Sequence, residues 1–307
     1  MDSAHSHAGL RHNAFVYQSD DQYTGQAAPF LEEGLSGGEA ALVAGTRDRL
    51  ALMRDALGST SKHVTFLDIG SAYTRPARTL GVYAQALARE LQHAPSVRAL
   101  GEVQYGPAPA DWREWMAYEA MSNCAYAHLP AWLVCTYNGE TAPDEILEGV
   151  WQTHPEVLGG ERAESAHFEA PADVVRAKTP EPGPLPDLRS LPPGEDLEAF
   201  RERLAGELND AGVPARRALE ILIAGTEVAK NAWQHGGGPH ELRVGRANGR
   251  FVCEVSDRGE GFDDPFAGYI VPGDDRNQGA GLWIARQMAW RVEIVPADPG
   301  VTVRLWA

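Results

Sequence analysis

Glu227, Asn231 and His235 recur at every fourth position of ARRALEILIAGTEVAKNAWQHG, so a helix would hold all three near one side. An Asn carbonyl oxygen can ligate a metal ion, and a carboxylate one turn earlier can orient a water or a hydroxyl. Further on, Asp257-Arg-Gly259-Glu-Gly261-Phe262 follows a short apolar run. A carboxylate at a strand end can accept from an exocyclic amine, while glycines let a planar base approach the backbone. A third group, Gly279-Ala-Gly281-Leu282, opens an apolar helical stretch. Unhindered amides at a positive helix terminus suit phosphate. Taken singly, the polar stripe fits an exposed helix face and DxGxG fits many turns. Together they supply a metal ligand, a base acceptor and a phosphate cradle.

The flanking sequence predicts the elements that would position them. DLEAFRERLAGEL (196–208) reads as a helix with Leu197, Phe200, Leu204 and Leu208 on one face. Pro214 can start the long helix, which stops at Gly236–Gly238. Strands are expected at Glu241–Val244 and Val252–Ser256 around the Asn248-Gly249 turn, and at Val292–Val295 and Thr302–Leu305. The polar stretch Asp263–Gln278 between the second and third groups reads as a lid over phosphates.

In this order the three groups resemble the boxes of the ATP-binding family that includes gyrase, heat-shock chaperones, histidine kinases and anti-sigma-factor serine kinases. NAWQHG, DRGEGFDDP and GLWIARQ are most similar to the anti-sigma regulatory, switch-protein-kinase branch. The resemblance covers residues 195–307 and implies an α/β two-layer sandwich of the Bergerat ATP-binding type. It implies that Asn231 coordinates Mg²⁺ and that Glu227 orients or activates the attacking group. Asp257 would bind the adenine amine, with Gly259 and Gly261 shaping the cavity. Gly279, Gly281 and Leu282 would hold phosphate. Arg276 is near where these kinases place a catalytic arginine, and Lys230 is a further basic candidate. His235 is expected to close the helix end or approach phosphate, and Arg286 to be a surface or salt-bridge residue.

Upstream, Thr179–Gly194 holds six prolines and no sustained period, so a linker is expected over 176–194, with a domain on each side (1–175 and 195–307). The first domain alternates strands (12–17, 40–44, 63–68, 97–104, 132–137) with helices (27–35, 47–57, 79–91, 111–127, 143–152), which predicts a parallel sheet covered on both faces. ALVAGTRDRLALM lacks the second glycine and the lysine of a phosphate loop. HNAFVYQSDDQYTGQAAPFLEEGLSGGEAALVAG (12–45) resembles a sensory domain of methanogens, methylotrophs and actinobacteria, itself similar to the recombinase-type ATPase core with its phosphate loop lost. That resemblance covers residues 10–175 and implies a signal-input module for an unknown small molecule. His12 could be a ligand or proton switch but reads more simply as packed. Asp68 ends a strand, where capping is the plainer role. Trp112, Trp115, Tyr118 and Tyr126 fit a core stripe.

A net charge of −16, with −5 in residues 195–307, disfavours direct nucleic-acid or anionic-membrane binding. Cys124, Cys135 and Cys253 show no metal or disulfide spacing and read as buried thiols. No signal peptide or transmembrane run is visible, so a cytoplasmic protein is expected. No phosphoacceptor histidine precedes the second domain in Glu195–Leu208, against a sensor histidine kinase. The resemblance therefore implies an ATP–Mg²⁺-dependent Ser/Thr kinase acting on an anti-sigma-factor antagonist, with a sigma factor as partner and dimerisation possible. A non-catalytic ATP-dependent interaction module is the alternative.

Overall fold

The computed structural model describes residues 9–71, 75–159, 161–270 and 280–307. The chain divides into two compact units, Met1–Thr179 and Pro180–Ala307. In the first, the order is β1 (Arg11–Tyr17), α1 (Asp20–Ser36), β2 (Ala40–Gly45), α2 (Arg47–Leu57), β3 (Thr65–Asp68), α3 (Pro76–Glu90) and β4 (Val97–Glu102). There follow α4 (Pro109–Ala125), β5 (Ala131–Asn138), α5 (Asp144–Thr153), β6 (Glu156–Gly159), β7 (Glu161–Glu164) and α6 (Pro171–Lys178). The sheet order is β3-β2-β4-β5-β1-β6-β7, parallel throughout except for β7 against β6.

The interior strands β2 and β5 read AALVAG and AWLVCTYN, almost without polar interruption, because helices cover both faces. Phe15, Leu31, Val43, Met53 and Val134 form a core on one side. Ala14, Met116, Tyr137, Ile146 and Val150 form a second on the other. Helix α1 begins seven residues before the expected Ala27. The side chain of Ser19 accepts from the Gln22 amide at 3.2 Å, and Asp20 and Asp21 fill the first turn. That cap outweighs the weak helix preference of Gly25 and Pro29.

The second unit runs β8 (Arg189–Leu191), α7 (Leu197–Asp210), α8 (Ala215–His235), β9 (Glu241–Ala247), β10 (Arg250–Asp257), α9 (Ala280–Met288), β11 (Arg291–Pro296) and β12 (Val301–Trp306). Its sheet, ordered β11-β12-β10-β9-β8, is antiparallel at every pairing. Helices α7, α8 and α9 cover one face, burying Phe200, Leu204, Ile221, Val228, Phe251, Val255 and Leu305.

Of the stretch expected as a linker, 176–179 closes the first unit at the end of α6 and 180–194 is part of this one. Leu191 pairs with Leu242, and the Arg243 guanidinium donates to the Leu185 carbonyl at 2.8 Å. Leu188 packs with Val252 and Trp306 on the face away from the helices. The prolines end regular structure locally, yet three residues between them retain free amides for a short edge strand.

Candidate functional site

The long helix, the strand end and the glycine-led helix converge. Gly281, in the first turn of α9, backs onto the Asn231 carboxamide: a Cβ there would fall 2.8 Å from Oδ1. Gly236, just beyond α8, backs onto Asp257, where a Cβ would fall 2.6 Å from the carboxylate carbon. A Cβ on Gly259 would lie 2.8 Å from the His235 carbonyl oxygen and 2.9 Å from the Gly236 Cα. The end of α8 is thus closed by the turn after β10, and a larger residue at either glycine would separate them.

Asp257 Oδ1 accepts from the Gly259 amide at 2.9 Å, which fixes the carboxylate. Its second oxygen has no hydrogen-bond partner among the described residues. Gly261 adopts φ +69°, and a Cβ there would meet the Gly300 carbonyl at 3.1 Å. Glu227 and Asn231 are half-buried on α8, whereas Lys230 and His235 are exposed. Leu282 belongs to the apolar core, so only its backbone could face a ligand. Arg276 and Gly279 lie outside the described residues.

One expectation needs correction. Arg286 is buried, not a surface residue. Its Nε donates to the Ala267 carbonyl at 2.7 Å and Nη1 to the Val292 carbonyl at 3.0 Å, while the guanidinium stacks 3.8 Å from the Tyr269 ring centroid. It therefore ties the first part of the expected lid onto α9. Residues 271–279 of that stretch lie outside the described residues.

In the first unit a cavity of about 350 Å³ opens at the carboxyl ends of β1, β4 and β5, where parallel α/β sheets place ligands. Tyr17, Arg49, Glu102, Tyr105, Thr136 and Asn138 line it. Burial raises the Tyr17 phenol above its usual range against the opposing charge of Arg49, so it is a neutral hydrogen-bonding group at physiological pH. The turn after β2, where a phosphate loop would lie, gives its Thr46 amide to Glu102 Oε2 at 2.7 Å. A phosphate there would meet a carboxylate. Asp68 is a turn-forming group: Oδ1 accepts from the Gly70 amide at 2.9 Å and Oδ2 from Arg47 Nε at 3.1 Å. Those two bonds hold its carboxyl below the usual range. Trp115, Tyr118 and Tyr126 are buried, as a core stripe requires, while Trp112 donates to the Gly106 carbonyl at 3.1 Å.

A three-helix layer on an antiparallel sheet, with these boxes at one end, defines an ATPase fold of the Bergerat type. Residues 193–306 match the model of the histidine kinase-like ATPase domain. Residues 11–155 match that of the methanogen/methylotroph, DcmR sensory domain. The chain is a sensory domain of that type fused to a histidine kinase-like ATPase domain, an arrangement that matches the anti-sigma regulatory, switch-protein-kinase-like architecture. Among solved structures, the chain is similar to the flagellar accessory protein FlaH from Methanocaldococcus jannaschii. The identity is 9%, over 51% of this chain and 76% of that one, with a TM-score of 0.31. No curated protein sequence matches significantly. No helix among the described residues is long and apolar enough to cross a membrane.

Proposed function

We propose that this protein is a signal-responsive anti-sigma-type regulator of transcription acting in the cytoplasm. It binds ATP with Mg²⁺ in its second unit, phosphorylates a serine or threonine of a small antagonist protein, and binds a sigma factor. The single observation that carries this reading is the approach of Asn231 to Gly281 at the same helix end where Asp257 meets Gly236 and Gly259.

The donor set suits the metal. Asn231 offers a hard carboxamide oxygen with no hydrogen-bond partner among the described residues, in a space that a Cβ on Gly281 would fill. Mg²⁺, when bound, would neutralise phosphate charge that this acidic unit cannot meet by itself. Glu227, one turn before Asn231, would orient the acceptor hydroxyl and draw its proton as the oxygen attacks the γ-phosphorus in line. Amides at Gly281 and Leu282, with Gly279, would hold phosphate oxygens at the start of α9. Asp257 would accept from the adenine amine through its free oxygen, beside Gly259 and Gly261. Arg276 would stabilise charge on the transferring phosphoryl group. The cavity of the first unit would receive a small polar effector, and a homodimer is part of the proposal.

The full chain is incubated with ATP, Mg²⁺ and candidate antagonist and sigma partners, and phosphate transfer is read beside binding. Transfer to an antagonist hydroxyl that Asn231→Ala abolishes supports the kinase reading. Tight ATP binding without product across cognate partners replaces it with a non-catalytic interaction module. Failure to bind ATP with Mg²⁺ removes both.

A further inference from the structure

His12 on β1 and Cys135 on β5 lie on one face of the first sheet, since Ala14 is in register with Cys135 and His12 with Leu133. Glu119 reaches the same point from α4, and His154 from the residue that ends α5. The His12, Glu119 and His154 side chains are almost wholly buried, at 1%, 4% and 0% exposure. His12 Nε2 is 3.3 Å from Cys135 Sγ and 3.6 Å from Glu119 Oε2, and His154 Nε2 is 3.4 Å from the same oxygen. One donor atom from each of the four residues lies within 4.8 Å of all the others.

The surroundings fix which nitrogen of each ring carries hydrogen. Asn123 Nδ2 donates to the Thr153 carbonyl at 2.9 Å, so its Oδ1, 3.0 Å from His12 Nδ1, accepts from that nitrogen. His154 Nδ1 stands 3.1 Å from the Val150 carbonyl, which can only accept. Both Nε2 atoms of the neutral rings therefore present lone pairs inward. They face a carboxylate whose two oxygens, like His154 Nε2, have no hydrogen-bond partner among the described residues. Buried lone pairs converging on one point are costly unless a proton or a metal ion is held between them.

We propose that His12, Glu119, Cys135 and His154 form a binding site for a zinc-type transition-metal ion. With metal–donor bonds of about 2.0–2.3 Å, the edges of a tetrahedron are about 3.3–3.7 Å, the range in which the three donor separations fall. Two imidazoles, a thiolate and one carboxylate favour zinc over Mg²⁺ or Ca²⁺, which take oxygen. On binding, the Cys135 thiol gives up its proton to solvent and its sulfur becomes a ligand. The ion would pin α4 and the end of α5 to the centre of the sheet. Asn123 and the Val150 carbonyl are its outer shell and hold the rings in the ligating tautomer.

The test uses the full chain, stripped with chelator and titrated with Zn²⁺, then with Co²⁺ as a spectroscopic probe. One equivalent should bind in the absence of nucleotide. Co²⁺ should give intense tetrahedral d–d bands and a thiolate charge-transfer band that is lost in Cys135→Ser. Asn123→Ala keeps all four ligands and should weaken Zn²⁺ binding by about 10–100-fold. The wild-type titration decides even where a variant does not fold. No binding by the folded wild type would overturn the site and leave a proton shared between Glu119 and an imidazole. A charge-transfer band that persists in Cys135→Ser would overturn it equally.

Discussion

Alanine at position 281 separates a role in nucleotide binding from a role in the fold. The new Cβ would stand 2.8 Å from Asn231 Oδ1 and 3.1 Å from Nδ2, inside the roughly 3.5 Å at which such atoms pack. The carboxamide is the flexible end of a side chain, so it moves by some tenths of an ångström, at about 0.5–1.5 kcal/mol if it leaves its rotamer. Alanine in turn gains about 0.5–1 kcal/mol of helix preference over glycine. The two effects nearly cancel, and the stability of the second unit should stay within about 1 kcal/mol of wild type. Binding should not be spared. Displacing a metal ligand by this much resembles loss of an outer-shell partner, which costs about 10–100-fold in affinity. Calorimetric titration with ATP in Mg²⁺ should show that loss, and titration in EDTA a much smaller one. Gly206→Ala is the control, because a Cβ there meets nothing within 4 Å on an exposed face of α7. It should stabilise the unit by about 0.5–1 kcal/mol and leave ATP affinity unchanged. A folded Gly281→Ala protein with wild-type affinity for ATP and Mg²⁺ would refute the placement of Asn231 against the metal.

Other perturbations test the two units separately. The buried Arg98 guanidinium donates to Glu39 at 2.9 Å and to the Phe30 carbonyl at 3.0 Å. Arg98→Met should destabilise the first unit by about 3 kcal/mol in urea unfolding, because it leaves the nearly buried Glu39 carboxylate with only the Ser96 hydroxyl as partner among the described residues, and Glu39→Gln should recover part of that loss. Burial beside Glu254 pushes the Cys253 thiol up to about 12. The fold therefore keeps a proton that the unfolded chain releases above about pH 8.5, so stability falls with rising pH by up to about 1.4 kcal/mol per unit. Cys253→Ala should flatten that part of the alkaline unfolding profile. Asp257→Asn should abolish ATP binding, whereas Glu227→Gln should retain binding and lose transfer; equal affinity in all three proteins would remove the adenine assignment.

Much of the second unit is legible because its chemistry is local. Asn231, Asp257 and Gly281 each sit in a short motif whose element is readable from periodicity, and the hairpin turn at Asn248-Gly249 is visible as a dipeptide. The strap over 180–194 is not legible, since its three paired residues are hidden among prolines and its apolar contacts come singly from Leu185 and Leu188. The burial of Arg286 is hidden in the sequence for a related reason. A lone basic residue on a short helix looks solvated until Tyr269 and two backbone carbonyls are known to surround it.

The cluster in the first unit is the limiting case. Its residues stand at positions 12, 119, 135 and 154, so no motif with fixed spacing contains even two of them. His12 and Cys135 meet only because β1 and β5, far apart in sequence, are neighbours in the sheet with Ala14 opposite Cys135. A one-residue slip of that register would send Cys135 to the other face and leave Glu119 facing two imidazoles alone. The cysteine spacing, sound evidence against a zinc knuckle, says nothing about a site assembled by strand order. What does signal it is a buried Glu119 carboxylate without a hydrogen-bond partner among the described residues, on which two imidazoles and a thiol converge. A buried carboxylate is tolerated only against a positive charge, and with the Nε2 atoms of His12 and His154 turned inward the choice lies between a metal ion and a proton on one imidazole, which the Zn²⁺ titration decides.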